Sequence, residues 1–309
     1  MPKEVYDFAD LQRWPEAGVA EPPLRLAVFG DPVAHSASPP MHNAALEACD
    51  LPLRYTRLHI RPDELAPALR LLPQMGFLGT NLTIPHKAAA LGLMDHVDPH
   101  ARRIGVVNTV VIKGEELHGY NTDGPGLVRA VRAEFGAELR DLRVLVLGAG
   151  GGAGRAIAMQ CAIENCAGLS LVNRTLEKAH ALVTELTSVF TANAASSRIA
   201  AIPWDAEDLA RALRDTDLIV NCTSVGLAAG DESPLATELL RPDLLVYDTV
   251  YAAHRTPLML AADAAGARSA NGLSMLLHQG ALSFEIWFQR AAPVAVMHDA
   301  LLAHAARRK

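Results

Sequence analysis

The sequence predicts an α/β protein of two domains: one with a mixed sheet, one with a doubly wound parallel sheet, closed by a helical tail assigned back to the first. Three observations carry this. The chain has 309 residues, more than a single hydrophobic core usually spans. Apolar strand-like runs alternate with amphipathic helical segments along most of it. A glycine-rich string, Gly148-Ala149-Gly150-Gly151-Gly152-Ala153-Gly154, follows a continuous apolar strand and opens a helix.

The elements follow in order. Residues 1–23 are polar and interrupted by Pro2, Pro15, Pro22 and Pro23; they form an extension with no assigned role. Leu24 to Phe29 is an apolar strand that stops at Gly30. Ser38-Pro39-Pro40 opens a helix, because serine can cap it and proline suits the first helical position. Leu53 to Ile60 and Phe77 to Thr83 are further strands. A helix starts at Pro62-Asp63-Glu64 and another follows Pro85. Thr109 to Ile112 and Leu117 to Asn121 form a hairpin around Lys113-Gly114-Glu115, which makes the sheet mixed. A helix from Pro125 to Phe135 then leads to Arg143–Leu147, an unbroken apolar strand suited to the middle of a parallel sheet. Strands are expected at 169–172, 217–222 and 244–248, with helices at 154–164, 176–189 and 206–213. Thr256-Pro257 starts a helix that ends at Gly266. The rest reads as helix, Met275 to Arg290 and then 294–307.

Composition excludes several classes. Apolar residues make up 50% and charged residues 20%, an ordinary globular balance. The net charge of −6, with Arg307-Arg308-Lys309 as the one basic run, gives no footprint for nucleic acid. The acidic start lacks the apolar core of a signal peptide, and no uncharged apolar stretch of about 18 residues could span a membrane. Cys49, Cys161, Cys166 and Cys222 match no metal-ligand spacing, so no metal is expected. Free thiols point to a reducing, cytoplasmic setting.

Glycines let a backbone turn tightly and approach a pyrophosphate, and the helix that follows offers free N–H groups and its positive end. The string alone fits a structural turn as well; its place between strand and helix favours a dinucleotide. The end of the next strand decides which one. A carboxylate there would bind a ribose 2′-hydroxyl. Here the strand ends in Asn173-Arg174-Thr175, with Lys178 one turn on. Cations without a carboxylate suit a 2′-phosphate, so the cofactor is read as NADP, although Arg174 and Lys178 would also serve as solvated helix residues.

Eight segments, in order, resemble the shikimate dehydrogenase family: Gly30-Asp31-Pro32-Val33-Ala34-His35-Ser36-Ala37-Ser38-Pro39, Asn81-Leu82-Thr83-Ile84-Pro85-His86-Lys87, Val107-Asn108-Thr109, Asn121-Thr122-Asp123-Gly124, Asn173-Arg174-Thr175, Asn221-Cys222-Thr223-Ser224-Val225-Gly226, Asp248-Thr249-Val250-Tyr251, and Gln279. Ser36 and Ser38, at a helix N-terminus, could hold a carboxylate or simply cap the helix. The resemblance implies that both, with Thr83 and Tyr251, contact the shikimate carboxylate. Lys87, read in the first turn of a helix, would ordinarily face solvent, and Asp123 would ordinarily cap the helix near Pro125. The resemblance makes them the catalytic dyad. Asn81, Asn108 and Gln279 are amides that both donate and accept, as a polyol ring needs, though turn bonding would also account for Asn108. Thr223 and Ser224 fall where such sheets bind ligands, and Gly272 is grouped with the cofactor contacts. Cys222 reads as a packing residue, and His35 and His86 are set aside as bases.

The implied activity is reversible NADP-dependent reduction of 3-dehydroshikimate to shikimate, a step of chorismate and aromatic amino acid biosynthesis. The implied partner is this small molecule, with the protein a monomer or homodimer. A quinate/shikimate or related cyclic-hydroxyacid dehydrogenase is the nearest alternative, and a non-catalytic metabolite-sensing module is the other. The expected boundaries are 24–123 with 273–309 for the catalytic domain and 124–272 for the Rossmann-like NADP domain. One departure stands out: an additional glycine precedes Ala153, so the phosphate loop should be one residue longer than the family's usual turn.

Overall fold

The computed structural model describes residues 3–18, 20–190, 198–226, 228, 230–250 and 255–307. The chain forms two compact units, Met1–Asp123 with Leu277–Lys309, and Gly124–Leu276. The first unit contains β1 (Tyr6–Asp7), α1 (Phe8–Gln12), α2 (Trp14–Ala17), β2 (Leu24–Gly30), α3 (Ser38–Ala48), β3 (Arg54–His59), α4 (Leu65–Leu71), β4 (Gly79–Leu82), β5 (His96–Val97), α5 (Pro99–Ile104), β6 (Thr109–Lys113) and β7 (Glu116–Tyr120). Then come α6 (Asp123–Phe135), β8 (Arg143–Leu147), α7 (Gly152–Ile163), β9 (Gly168–Val172), α8 (Leu176–Thr187), β10 (Ile199–Ile202), α9 (Ala206–Arg214), β11 (Leu218–Asn221), β12 (Leu245–Asp248), α10 (Pro257–Ala264), β13 (Arg268–Asn271), α11 (Leu273–Phe288) and α12 (Val294–Ala306).

Among the described residues the first sheet runs β1-β3-β2-β4-β6-β7-β5. Its first four strands are parallel, while β6 runs antiparallel to β4 and β7 antiparallel to β6. This is the mixed sheet that the hairpin predicts. The second sheet is entirely parallel, in the order β10-β9-β8-β11-β12-β13. The order reverses between β8 and β11, the switch point at which open α/β sheets take ligands. Val144 to Leu147 are buried, as a strand covered on both faces requires. Among the described residues no helix is long and apolar enough to cross a membrane.

Helix ends follow local chemistry. Asp205 caps α9 by accepting from the Glu207 and Asp208 N–H groups at 3.1 and 3.0 Å. Thr256 caps α10, with Pro257 in its first turn. At α3 the expectation fails: Ala37 is the capping residue and Ser38 is already helical. The Ser36 hydroxyl instead accepts the Ser38 N–H, at 3.3 Å. The helix expected after Pro85 is a turn followed by a 3-10 segment, Ala89–Leu93. The His86 ring is tied to the Ile60 carbonyl at 2.7 Å, and β5 begins soon afterwards, leaving too little chain for a stable helix.

The N-terminal extension is integral to the first unit. Tyr6 and Asp7 pair in parallel with Leu58 and His59 at the sheet edge. Asp7 and Asp10 form a reciprocal capping box on α1, and Lys3 pairs with Asp10 at 2.6 Å. Tyr6, Leu11 and Trp14 join the core around Leu58 and Phe77. Trp14 lies edge-on to Tyr6 at 5.0 Å and tilted on Phe77 at 5.1 Å. Trp14→Ala should therefore destabilise the protein by about 3–5 kcal/mol, the usual cost of emptying a buried indole site. Urea unfolding measures it; an unchanged midpoint would show that the segment contributes nothing to stability.

Candidate active site

The first unit gathers polar side chains at the carboxyl ends of β2, β3 and β4. Thr83 follows β4 and donates its backbone N–H to the Phe29 carbonyl at 2.9 Å. Ser36 lies on the loop from β2 into α3, and Ser38 is the first residue of α3. The Arg57 guanidinium on β3 donates to the Ser36 carbonyl at 3.1 and 2.6 Å, which fixes that loop. The Ser38 hydroxyl lies beside the Tyr55 hydroxyl, which donates to Asn81 Oδ1 at 2.8 Å. His42 stacks on Tyr55 at 4.5 Å and is fully buried; burial lowers its pKa to about 3, so the ring is a neutral filler.

Asn81 continues inward. Its Nδ2 donates to the Asn108 carbonyl at 3.2 Å, to Thr109 Oγ1 at 3.1 Å and to Ser283 Oγ at 3.0 Å. Asn108 Oδ1 accepts from the Thr122 N–H at 2.8 Å and from Thr109 Oγ1 at 3.0 Å. Asn108 Nδ2 donates to Thr122 Oγ1 at 2.9 Å and reaches Gln279 Oε1 at 3.5 Å. These residues are all at most 9% exposed, so every polar atom needs such a partner. The Ser38, Asn81, Asn108 and Gln279 side chains thus belong to one connected array. Tyr55, Arg57 and Ser283 are members that sequence reasoning missed. Tyr55 and Arg57 sit in an ordinary strand pattern and Ser283 in an apolar helix, so no local signal marks them.

Next to this array Lys87 Nζ donates to Asp123 Oδ2 at 2.7 Å. Lys87 sits on the turn after Pro85, not on a helix, and its carbonyl accepts the Val107 N–H at 2.9 Å, beside Asn108. Asp123 is the first residue of α6 rather than a residue preceding it. The side chains are 31% and 15% exposed, so the pair is half-sheltered yet reachable. His86 is buried against Ile60 and His35 is exposed outside the pair. Tyr251 lies outside the described residues.

In the second unit Gly148 to Gly151 form the turn after β8, and α7 begins at Gly152. The first N–H groups of α7 lack intrahelical acceptors. A Cβ on Gly154 would lie 2.2 Å from the Gly148 carbonyl oxygen, so this glycine permits close packing of helix on turn. A Cβ on Gly152 would meet nothing within 4 Å. The close-packing glycine is therefore Gly154, with Ala153 exposed before it. Asn173 Oδ1 accepts the Gly150 N–H at 3.1 Å and holds the turn against β9; Ala149 is buried beneath it. Arg174, Thr175 and Lys178 are exposed beyond Asn173, with no carboxylate among residues 173–175. The glycine turn and these cations fit a phosphorylated dinucleotide.

The end of β11 is held by its own side chains. Asn221 Nδ2 donates to Asp248 at 3.0 Å, and Thr223 Oγ1 donates to Asn221 Oδ1 at 2.8 Å. Asp248 also accepts from Thr256 Oγ1 at 2.6 Å, and burial raises its pKa. Ser224 is exposed next to Thr223. Burial raises the Cys222 thiol well above its ordinary range, which leaves no thiolate nucleophile there. Gly272 closes the far end of the sheet: a Cβ there would strike the Thr249 carbonyl at 2.2 Å.

Comparison with known proteins matches three segments. Residues 28–110 match the shikimate dehydrogenase substrate binding domain, 129–229 match shikimate/quinate 5-dehydrogenase, and 272–302 match the shikimate 5'-dehydrogenase C-terminal domain. A shikimate dehydrogenase (NADP(+)) of Methanopyrus kandleri is 41% identical over 281 residues, which is 90% of this chain and 95% of that one. The chain belongs to the shikimate dehydrogenase family. A solved shikimate 5-dehydrogenase of Thermus thermophilus, in complex with NADP(H) and shikimate, superposes with a TM-score of 0.79 at 38% identity, covering 91% of this chain and 99% of its own. The shikimate dehydrogenase likeness extends more distantly to a quinate dehydrogenase of Corynebacterium glutamicum in complex with NAD, at 27% identity and a TM-score of 0.80, covering 91% of this chain and 98% of its own.

The close approach of Gly154 to the Gly148 carbonyl gives a direct test. Gly154→Ala should cost about 1–3 kcal/mol, as overpacking does, while Gly152→Ala should stay within about 0.5 kcal/mol. Thermal unfolding of the two variants measures both. Equal costs would place the close approach elsewhere in the loop.

Proposed function

We propose that the protein catalyses the reversible NADP-dependent reduction of 3-dehydroshikimate to shikimate, with Lys87 and Asp123 handling the proton. The observation that carries this is the Lys87–Asp123 contact of 2.7 Å beside the array of buried amides and hydroxyls. Supporting it are the family membership and the cations after β9.

When bound, the cofactor supplies or accepts the hydride at the ring carbon. The protein's part is recognition and proton transfer. Ser36, Ser38 and Thr83 meet the substrate carboxylate with hydroxyl donors and the start of α3; Tyr251, which the family resemblance adds, lies outside the described residues. Asn81, Asn108 and Gln279 address the ring hydroxyls. Lys87 and Asp123 take up the hydroxyl proton when the alcohol is oxidised and return it when the ketone is reduced. Asp123 also fixes the lysine amine, which otherwise swings on a four-carbon stem. Gly148, Ala149, Gly150, Gly151, Gly152 and Ala153 with the start of α7 hold the pyrophosphate. Asn173, Arg174, Thr175 and Lys178 hold the 2′-phosphate end, and Thr223, Ser224 and Gly272 flank the rest of the cofactor. Quinate carries an additional hydroxyl beside its carboxylate; serine at both 36 and 38 favours shikimate. The reading also makes this a cytoplasmic enzyme, monomeric or homodimeric.

Lys87→Ala should lower kcat for shikimate oxidation by about 10²–10⁴-fold, the span of general acid–base catalysis. Its NADP affinity should stay within about twofold of the parent's, because Lys87 is assigned to the substrate hydroxyl and not to the cofactor. Steady-state rates and cofactor titration check this, and near-normal turnover would remove Lys87 from the mechanism. Arg174→Ala should raise KM for NADP about tenfold or more, as loss of a charged hydrogen bond does, and leave KM for NAD nearly unchanged. An equal change with both cofactors would contradict the 2′-phosphate role.

A further inference from the structure

We propose that His96, Glu116 and His118 form a binding site for a single divalent transition metal of the zinc type, on the face of the first sheet at its β5 edge. β5 pairs in parallel with β7, and the register sets His96 directly opposite His118. Glu116 precedes His118 by two positions on β7, so its side chain projects from the same face. The imidazole rings stack at 4.5 Å with planes 24° apart. His96 Nε2 lies 3.4 Å and His118 Nε2 3.3 Å from the same atom, Glu116 Oε2. All three ligand atoms lie within 4.8 Å of one another.

The distances match the chemistry. Zinc binds imidazole nitrogen and carboxylate oxygen at about 2.0–2.1 Å, and the edge of such a tetrahedron is about 3.3–3.4 Å. The two nitrogen–oxygen separations already equal that edge. Two imidazoles and one carboxylate suit zinc, cobalt or nickel rather than magnesium or calcium, which prefer all-oxygen shells. Asp95, next to His96, is not a fourth ligand: its carboxylate is committed to Arg70 at 2.8 Å and to the Leu117 N–H at 2.8 Å. It adds negative charge beside the site. The fourth position is left to water. Strand pairing holds the backbones of β5 and β7 in register, while the His96 and Glu116 side chains are 58% and 57% exposed and open to an ion from solvent. The bound ion would cross-link β5, only two residues long, to β7. None of its three ligands belongs to the Lys87–Asp123 pair, and the ion is assigned no part in the reaction proposed above.

The test is titration of chelator-stripped full-length protein with Zn²⁺, and with Co²⁺ as an optical probe. One equivalent should bind, with Co²⁺ giving the intense visible bands of a four-coordinate nitrogen–oxygen site and raising the thermal midpoint. Substitutions next to a metal's ligands commonly cost 10–100-fold in affinity, so removing a ligand outright, in His96→Ala or His118→Ala, should cost at least about tenfold. Glu116→Gln should weaken binding as well, whereas His298→Ala, remote on α12, should not. Circular dichroism confirms that each variant is folded. Absence of saturable binding by the parent protein would overturn the proposal. So would binding that survives both His96→Ala and His118→Ala, or a thiolate-to-cobalt charge-transfer band.

Discussion

Buried polar atoms must be paired, and one network that meets this requirement organises the first unit. Asn81 on β4, Thr109 on β6, Thr122 after β7 and Ser283 on α11 are all buried and hydrogen-bonded to one another. Leaving any one without its partner would cost about 1–3 kcal/mol. The network therefore fixes where α11 must dock, although α11 is far away in sequence. Trp287 extends the constraint: its Nε1 donates to the Val110 carbonyl at 3.0 Å, over Gly79, where a Cβ would lie 2.3 Å from that indole nitrogen. The C-terminal helices are tied to the first unit by these Ser283 and Trp287 hydrogen bonds, which extend a network the sheet residues already share.

The same network positions the chemistry. Thr122 is held by Asn108, and Asp123 is the next residue, so its carboxylate starts from a fixed backbone. Lys87 is tied to the same place from the other side, through its carbonyl and Val107. The ion pair is thus set by two rigid anchors rather than by two free side chains. This preorganisation is what a proton-transferring pair needs. In the second unit the corresponding constraint is steric. Gly154 must pass close to Gly148, and that contact sets the start of α7 and the direction of its free N–H groups.

Much of this was legible in the sequence, for identifiable reasons. β8 stood out because a strand buried on both faces is a continuous apolar run, and its predicted bounds are those observed. The hairpin β6–β7 was marked by Gly114, whose φ of 63° the turn uses. β1, β5, β10 and β13 are not among the expected strands: the first two are two residues long, too short for a period, β10 is a four-residue run, Ile-Ala-Ala-Ile, and β13, Arg-Ser-Ala-Asn, has hardly any apolar residue. The extension's place in the core is not legible because its prolines read as irregular chain, while its core residues Tyr6, Leu11 and Trp14 are spaced irregularly. Lys87, Asp123 and the serines were found through motifs. Tyr55 and Ser283, which support them, were not, because a hydrogen bond between residues remote in sequence leaves no local pattern. The helix begins one position earlier than a Ser38 cap implies: Ala37 is the capping residue, and the Ser36 hydroxyl accepts the Ser38 N–H.

The central claim is that this fold uses NADP and shikimate together. The most direct measurement is kcat/KM for shikimate and quinate, each with NADP and with NAD, on one preparation of the purified protein. The account predicts that shikimate with NADP gives the highest value, with quinate and NAD each lowering it. A preference for quinate or for NAD, or no turnover of shikimate with NADP between pH 7 and pH 10, would contradict it.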